Sequence, residues 1–70
     1  MTNLKRIRKR KNITQNELSE YADVNIRMIQ HYEQGFKDIN KAQAITVYKL
    51  ADALGTTMES LIEIKKEVEE

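Results

Sequence analysis

Apolar side chains in this 70-residue chain fall in short stripes of helical period, each bounded by residues that start or stop helices. Leu4 and Ile7 are the apolar positions of a first helix, with Asn12 as its stop and Ile13 turned inward just beyond. Thr14 and Glu17 have capping-box spacing: the threonine oxygen can accept the backbone N–H three residues on while the glutamate reaches back. A second helix therefore begins at Gln15. Leu18, Tyr21 and Ala22 give it one apolar face for about two turns, until Asp23 and Asn25 break the pattern. Asn25 is a good N-cap for a third helix, in which Ile29 and Tyr32 share a face and Gly35 supplies the left-handed residue that ends it.

The same signals recur in the second half. Asn40 and Gln43 read as another cap and box, which starts a helical turn near Lys41. Ala44, Ile45, Val47, Tyr48, Ala51 and Leu54 then form a broad apolar face that runs to Gly55, a second glycine suited to a helix end. A last helix follows a threonine cap, for which the box spacing to Glu59 favours Thr56. Met58, Leu61 and Ile62 are its core positions, and Ile64 and Val68 continue the stripe where the helix becomes solvated and acidic. An apolar stripe left over once the core is full is either a dimer interface, with Ile64 and Val68 as its candidates, or part of a frayed tail.

Composition narrows the fold to one small all-α bundle. The chain has no proline, no cysteine and only two glycines, which favours helices joined by short turns. Its length is near the lower limit for a core that holds without disulfides or metal. Residues 1–63 are expected to form the domain and residues 64–70 an acidic helical extension or tail. No charged-then-apolar leader and no long apolar run is present, so a cytoplasmic protein without a membrane partner is expected.

Net charge is only +1, but it is unevenly spread. Lys5, Arg6, Arg8, Lys9, Arg10 and Lys11 cluster near the start, whereas Glu59, Glu63, Glu67, Glu69 and Glu70 load the other end. Such a basic cluster can neutralise phosphates and release counterions, unless it is simply the solvated face of a small helix. Catalysis finds little to work with: one histidine, no cysteine, no metal-ligand cluster, no glycine-rich phosphate loop and no serine beside a base. Neither a cofactor nor a small-molecule ligand is expected of so small a chain.

The two helices between Thr14 and Gly35 resemble the helix-turn-helix of Cro and phage-repressor regulators, the XRE-like type. Thr14-Gln15 followed by Glu17-Leu18 matches the family's opening of the first motif helix; Val24 closes the turn; Ile29, Glu33 and Gly35 match its apolar, acidic and glycine positions. Lys49 to Gly55 resembles the family's fourth helix, and Thr57 to Ile62 its fifth, an alignment that favours Thr57 as the cap. The resemblance spans Leu4 to Ile62 and implies a compact five-helix bundle of the lambda-repressor-like type. Ser19 departs from the usual alanine, fitting best if its hydroxyl bonds back to the preceding turn, and Asp23 replaces the usual turn glycine. Met28 stands where a small hydroxyl residue is often found near a phosphate.

The resemblance also implies roles. Arg8 and Glu33 would form a largely buried ion pair, for which the planar guanidinium fork suits the carboxylate. Gln15, with Asn16 beside it, would contact DNA phosphate at a helix N-terminus, and Lys37 and Lys41 would touch the backbone from the following loop. Asn25, Ile26, Arg27, Gln30 and His31 would face base edges in the major groove. Arg27 suits guanine, Gln30 suits adenine and Ile26 can meet a thymine methyl; the alternative readings are Ile26 partly buried against the preceding turn and His31 an ordinary surface residue. The function implied is a sequence-specific double-stranded DNA-binding regulator, a repressor acting as a homodimer on a two-fold-symmetric operator. The alternative is a protein-interaction module, antitoxin-like or adaptor, that keeps the fold and binds another protein.

Overall fold

The computed structural model describes residues 1–64 and, among them, contains five α-helices and no strand. In chain order these are α1 (Asn3–Arg10), α2 (Gln15–Ala22), α3 (Ile26–Gln34), α4 (Ala44–Leu54) and α5 (Met58–Leu61), with a single 3-10 turn at Ile39–Lys41. α2 packs against both α3 and α4, while α1 packs against α3 and α5 and α5 also meets α4. Leu4, Leu18, Ile29, Leu50 and Leu61, one from each helix, are fully buried where these contacts converge. Burying a side chain of this size stabilises the fold by roughly 1.5–3 kcal/mol, so a core with one such anchor per helix ties all five together.

Helix boundaries follow local chemistry. Thr2 caps α1, Thr14 caps α2 with its full box, and Asn25 caps α3. Thr57 rather than Thr56 caps α5, its hydroxyl accepting from the N–H of Ser60. Gly35 and Gly55 end α3 and α4 with φ of 86° and 67°, conformations in which an L side chain is strained. Asn12 and Asp23 take the same left-handed region, at φ of 60° and 57°, which their short polar side chains tolerate.

Three expectations need correction. Asn40 and Gln43 do not start a helix together: Asp38 caps the 3-10 turn, Ala42 is extended, and α4 begins at Ala44 after Gln43 with no side-chain cap. The reason lies in the use of Asn40, whose side chain bonds both ways to the backbone of Glu63 at 2.6 and 2.7 Å. Next, the apolar face of α4 is narrower than its composition: Val47, Leu50, Ala51 and Leu54 are buried, whereas Ala44, Ile45 and Tyr48 are exposed. An i, i+3, i+4, i+7 stripe fills the available core, and residues about 100° away from it face water. Tyr21 is exposed on α2 for the same reason, with Leu18 and Ala22 turned inward.

The third correction concerns the end of the domain. α5 stops at Leu61, Ile62 is extended, and Ile64 lies exposed beyond the helix, so no helical stripe runs on from Met58 through Ile64. Val68 lies outside the described residues. Instead of continuing as helix, the chain turns back to α1: the Asn3 side chain donates to the Ile62 carbonyl at 2.8 Å, and the Glu63 carboxylate accepts from the Asn3 N–H at 2.6 Å. An acid is thereby brought from 60 residues away to a helix N-terminus that has none in its own first turn, where the helix dipole favours negative charge.

Candidate nucleic-acid interface

The turn between α2 and α3 is held by backbone and short side chains. Asp23 ends α2 in the left-handed region, and the Val24 N–H returns to the Ser19 carbonyl at 3.2 Å. The Ser19 hydroxyl donates to the Val24 carbonyl at 2.6 Å. This bond runs forward across the turn rather than back along α2, and it fastens the two helices where they approach. Val24 is buried beneath the turn, closing the interhelical angle with an apolar contact.

At the C-terminal end of α3 the arrangement is more extensive. Arg8 Nε donates to one oxygen of Glu33 at 2.6 Å and its Nη2 to the other at 2.9 Å, while Nη1 donates to the Ile13 carbonyl at 2.9 Å. Both residues are buried, and among the described residues no fully buried side-chain polar atom lacks a partner. The hydrogen bonds that Arg8 donates to Glu33 hold the guanidinium above its already high ordinary pKa, against the opposing effect of burial, so Arg8 stays charged. Gln15, at the first position of α2, donates its amide N–H to Glu33 at 3.0 Å. Its side chain is thus engaged with the buried pair as well as standing at a helix N-terminus.

The N-terminal end of α3 is open. Asn25 is exposed and uses its carbonyl oxygen to accept from the Arg27 N–H at 2.8 Å, so this side chain caps the helix and keeps only its NH2 group free. Arg27 and Asn16 are exposed; Ile26, Gln30 and His31 are half-buried. Gln30 lies with its amide nitrogen 3.5 Å from the carbonyl oxygen of Gln15. His31 meets Phe36 edge to face with ring centroids 5.8 Å apart, and Phe36 itself is exposed. Lys37 and Lys41 are exposed in the segment after α3. Met28 is half-buried and packs against the core, so its side chain is not held outward as a polar contact would be.

A buried Arg-Glu fork, a left-handed turn between two short helices and a glycine-ended third helix together describe one arrangement. The helix-turn-helix family model matches residues 4–61. The chain belongs to the Cro/C1-type, XRE-like helix-turn-helix family. In this family, which binds DNA and is typically non-enzymatic, α2 and α3 are the helix-turn-helix, set in an all-α fold of the lambda-repressor-like type. No curated protein and no solved structure matches the chain significantly. Among the described residues no helix is long and apolar enough to cross a membrane, and no group of three acidic or histidine side chains is placed to hold a metal ion.

Two features of the helix-turn-helix had no signal in the chain's periodicity. The contact of Gln15 with Glu33 joins residues 18 apart through a turn whose angle no local pattern reports. The His31 and Phe36 contact depends on the path taken after Gly35, where the N–H groups of Phe36 and Lys37 both return to the His31 carbonyl.

Proposed function

We propose that this helix-turn-helix protein is a sequence-specific transcriptional regulator that binds double-stranded DNA with α3 in the major groove and represses by occluding a promoter. The observation that carries this reading is the exposed first turn of α3, with Asn25 and Arg27 outward, on a helix whose other end is fixed to the core. Arg27 offers the fork that pairs with guanine; Asn16, Lys37 and Lys41 are exposed and polar or cationic, as backbone contacts require. A homodimer on a two-fold-symmetric operator would set two such helices about 34–36 Å apart, one turn of DNA.

The test is selection of fragments from genomic DNA by the purified protein at two salt concentrations. Recovery of a short two-fold-symmetric site that survives the higher salt is the expected outcome, because base contacts persist where counterion release fades. Recovery of no preferred sequence, with all binding lost as salt rises, would overturn it. A protein-interaction role is the second reading, favoured by Ile45 and Tyr48, which leave apolar surface exposed on one side of α4.

A further inference from the structure

Between Gly35 and α4 the chain carries Lys37 and Lys41, both exposed, on a segment whose only helical element is the 3-10 turn at Ile39–Lys41. A lysine is a point charge on a flexible stem, so its reach to a phosphate is set by where the backbone beneath it stands. Ile39, 5% exposed, fastens this segment to the core from within. Asn40 fastens it from outside. Its Nδ2 donates to the Glu63 carbonyl at 2.6 Å, and its Oδ1 accepts from the Glu63 N–H at 2.7 Å. A primary amide carries a donor and an acceptor side by side, so one side chain pairs with both backbone groups of Glu63 much as a neighbouring strand would.

Glu63 is tied in turn to α1. Its carboxylate accepts from the Asn3 N–H at 2.6 Å, and the Asn3 side chain donates to the Ile62 carbonyl at 2.8 Å. α1 holds α3 through the fork of Arg8 on Glu33. The connections therefore close on themselves: from α3 through Arg8 to α1, through Asn3 to Glu63, through Asn40 to the turn that carries Lys41, and through Gly35 back to α3. A cation on that turn is set in a fixed frame relative to α3, although it belongs to neither α3 nor α4.

We propose that Asn40 is a positioning residue for DNA binding, holding Lys41 against the phosphate backbone in register with α3 by way of Glu63. This rests on the DNA-regulator reading above. It gives the far end of the domain, at Ile62 and Glu63, a part in affinity without any contact of its own with DNA.

The test compares the full-length parent with Asn40→Ala, Lys41→Ala and the double variant. The two bonds of Asn40 lie at the surface, where water replaces them, so Asn40→Ala keeps the fold. Affinity for the selected operator is measured across a salt series, and exchange of the Glu63 amide proton is followed by NMR without DNA. Lys41→Ala should flatten the fall of log affinity with log salt by about 0.9, the share of one phosphate. Asn40→Ala should flatten it in the same direction, leave the preferred bases unchanged and speed exchange at Glu63, and the double variant should be no flatter than Lys41→Ala alone. An Asn40→Ala protein with the salt dependence of the parent would overturn the proposal. So would losses that add in the double variant, a Lys41→Ala slope equal to the parent's, or a Glu63 amide that exchanges at the parent's rate. A parent that selects no sequence defeats the regulator reading and the role of Lys41 with it, whereas a parent with a defined site that responds to Lys41→Ala and not to Asn40→Ala defeats the positioning role alone.

Discussion

The two ends of α3 are held by different means. At its C-terminal end Tyr32 and Glu33 are buried, Arg8 grips the carboxylate with two bonds, and Gly35 turns the chain so that three successive N–H groups return to the last carbonyls. At its N-terminal end the side-chain cap is one bond from Asn25, and Arg27 stands in solvent. Bonds are concentrated at the end for which no ligand is proposed and are few at the end proposed to meet DNA. A short helix can present exposed residues in a fixed direction only if something else sets its axis, and here the buried pair and the apolar contacts of Ile29 do so.

The largest test of this contrast removes the fixed end. Glu33→Ala would leave the Arg8 guanidinium buried with only the Ile13 carbonyl, and Gln15 without its acceptor. Breaking a buried pair in this way costs about 3–5 kcal/mol, much of the roughly 4–10 kcal/mol available to a domain of this size. A urea melt should show the variant largely unfolded or shifted far to lower denaturant, and a midpoint equal to the parent's would refute the importance assigned to the fork.

The opposite substitution should touch binding and spare stability. Arg27→Ala removes an exposed side chain that makes no bond through its guanidinium to any described residue, so its melt should lie within about 0.5 kcal/mol of the parent. Its affinity for the selected operator should fall at least about fivefold, the lower end of what a base-reading arginine contributes. Equal affinity for parent and variant would shift weight to the protein-interaction reading.

The contrast also explains what the sequence reveals. Caps are local, and Thr14, Asn25, Gly35 and Gly55 act in the structure as their types imply. The Arg8 and Glu33 pair joins residues 25 apart; it was legible only through the family resemblance, since no spacing rule relates them. Where an expectation failed, a distant partner had intervened. Asn40 is a good cap by type, but its side chain is taken by Glu63, 23 residues on. Ile45 and Tyr48 are apolar by type, but α2 and α5 leave no room for them once Val47, Leu50 and Leu54 are in place. Ile39 gave no periodic signal at all, because a single buried residue in a 3-10 turn has no period. The extended return of Ile62 and Glu63 to Asn3 is likewise a contact across almost the whole domain.

The smallest effect sharpens the comparison through pH. Tyr32, in the fixed half of α3, is only 5% exposed, and burial raises the pKa of its phenol above the ordinary value near 10. In the unfolded chain that proton leaves first, so the stability linked to Tyr32 is fully present below about pH 10 and is lost as pH rises through the higher folded value. Arg8, held above its own much higher ordinary value, adds no loss in this window. Alkaline pH acts on the whole chain, which is why the measurement must be a difference. Urea melts of the parent and Tyr32→Phe at pH 8 and just above pH 10 should show the parent losing more stability between the two than the variant does. An equal loss would mean that the alkaline sensitivity arises elsewhere, and that burial at this end of α3 is less complete in solution than the enclosed ring implies.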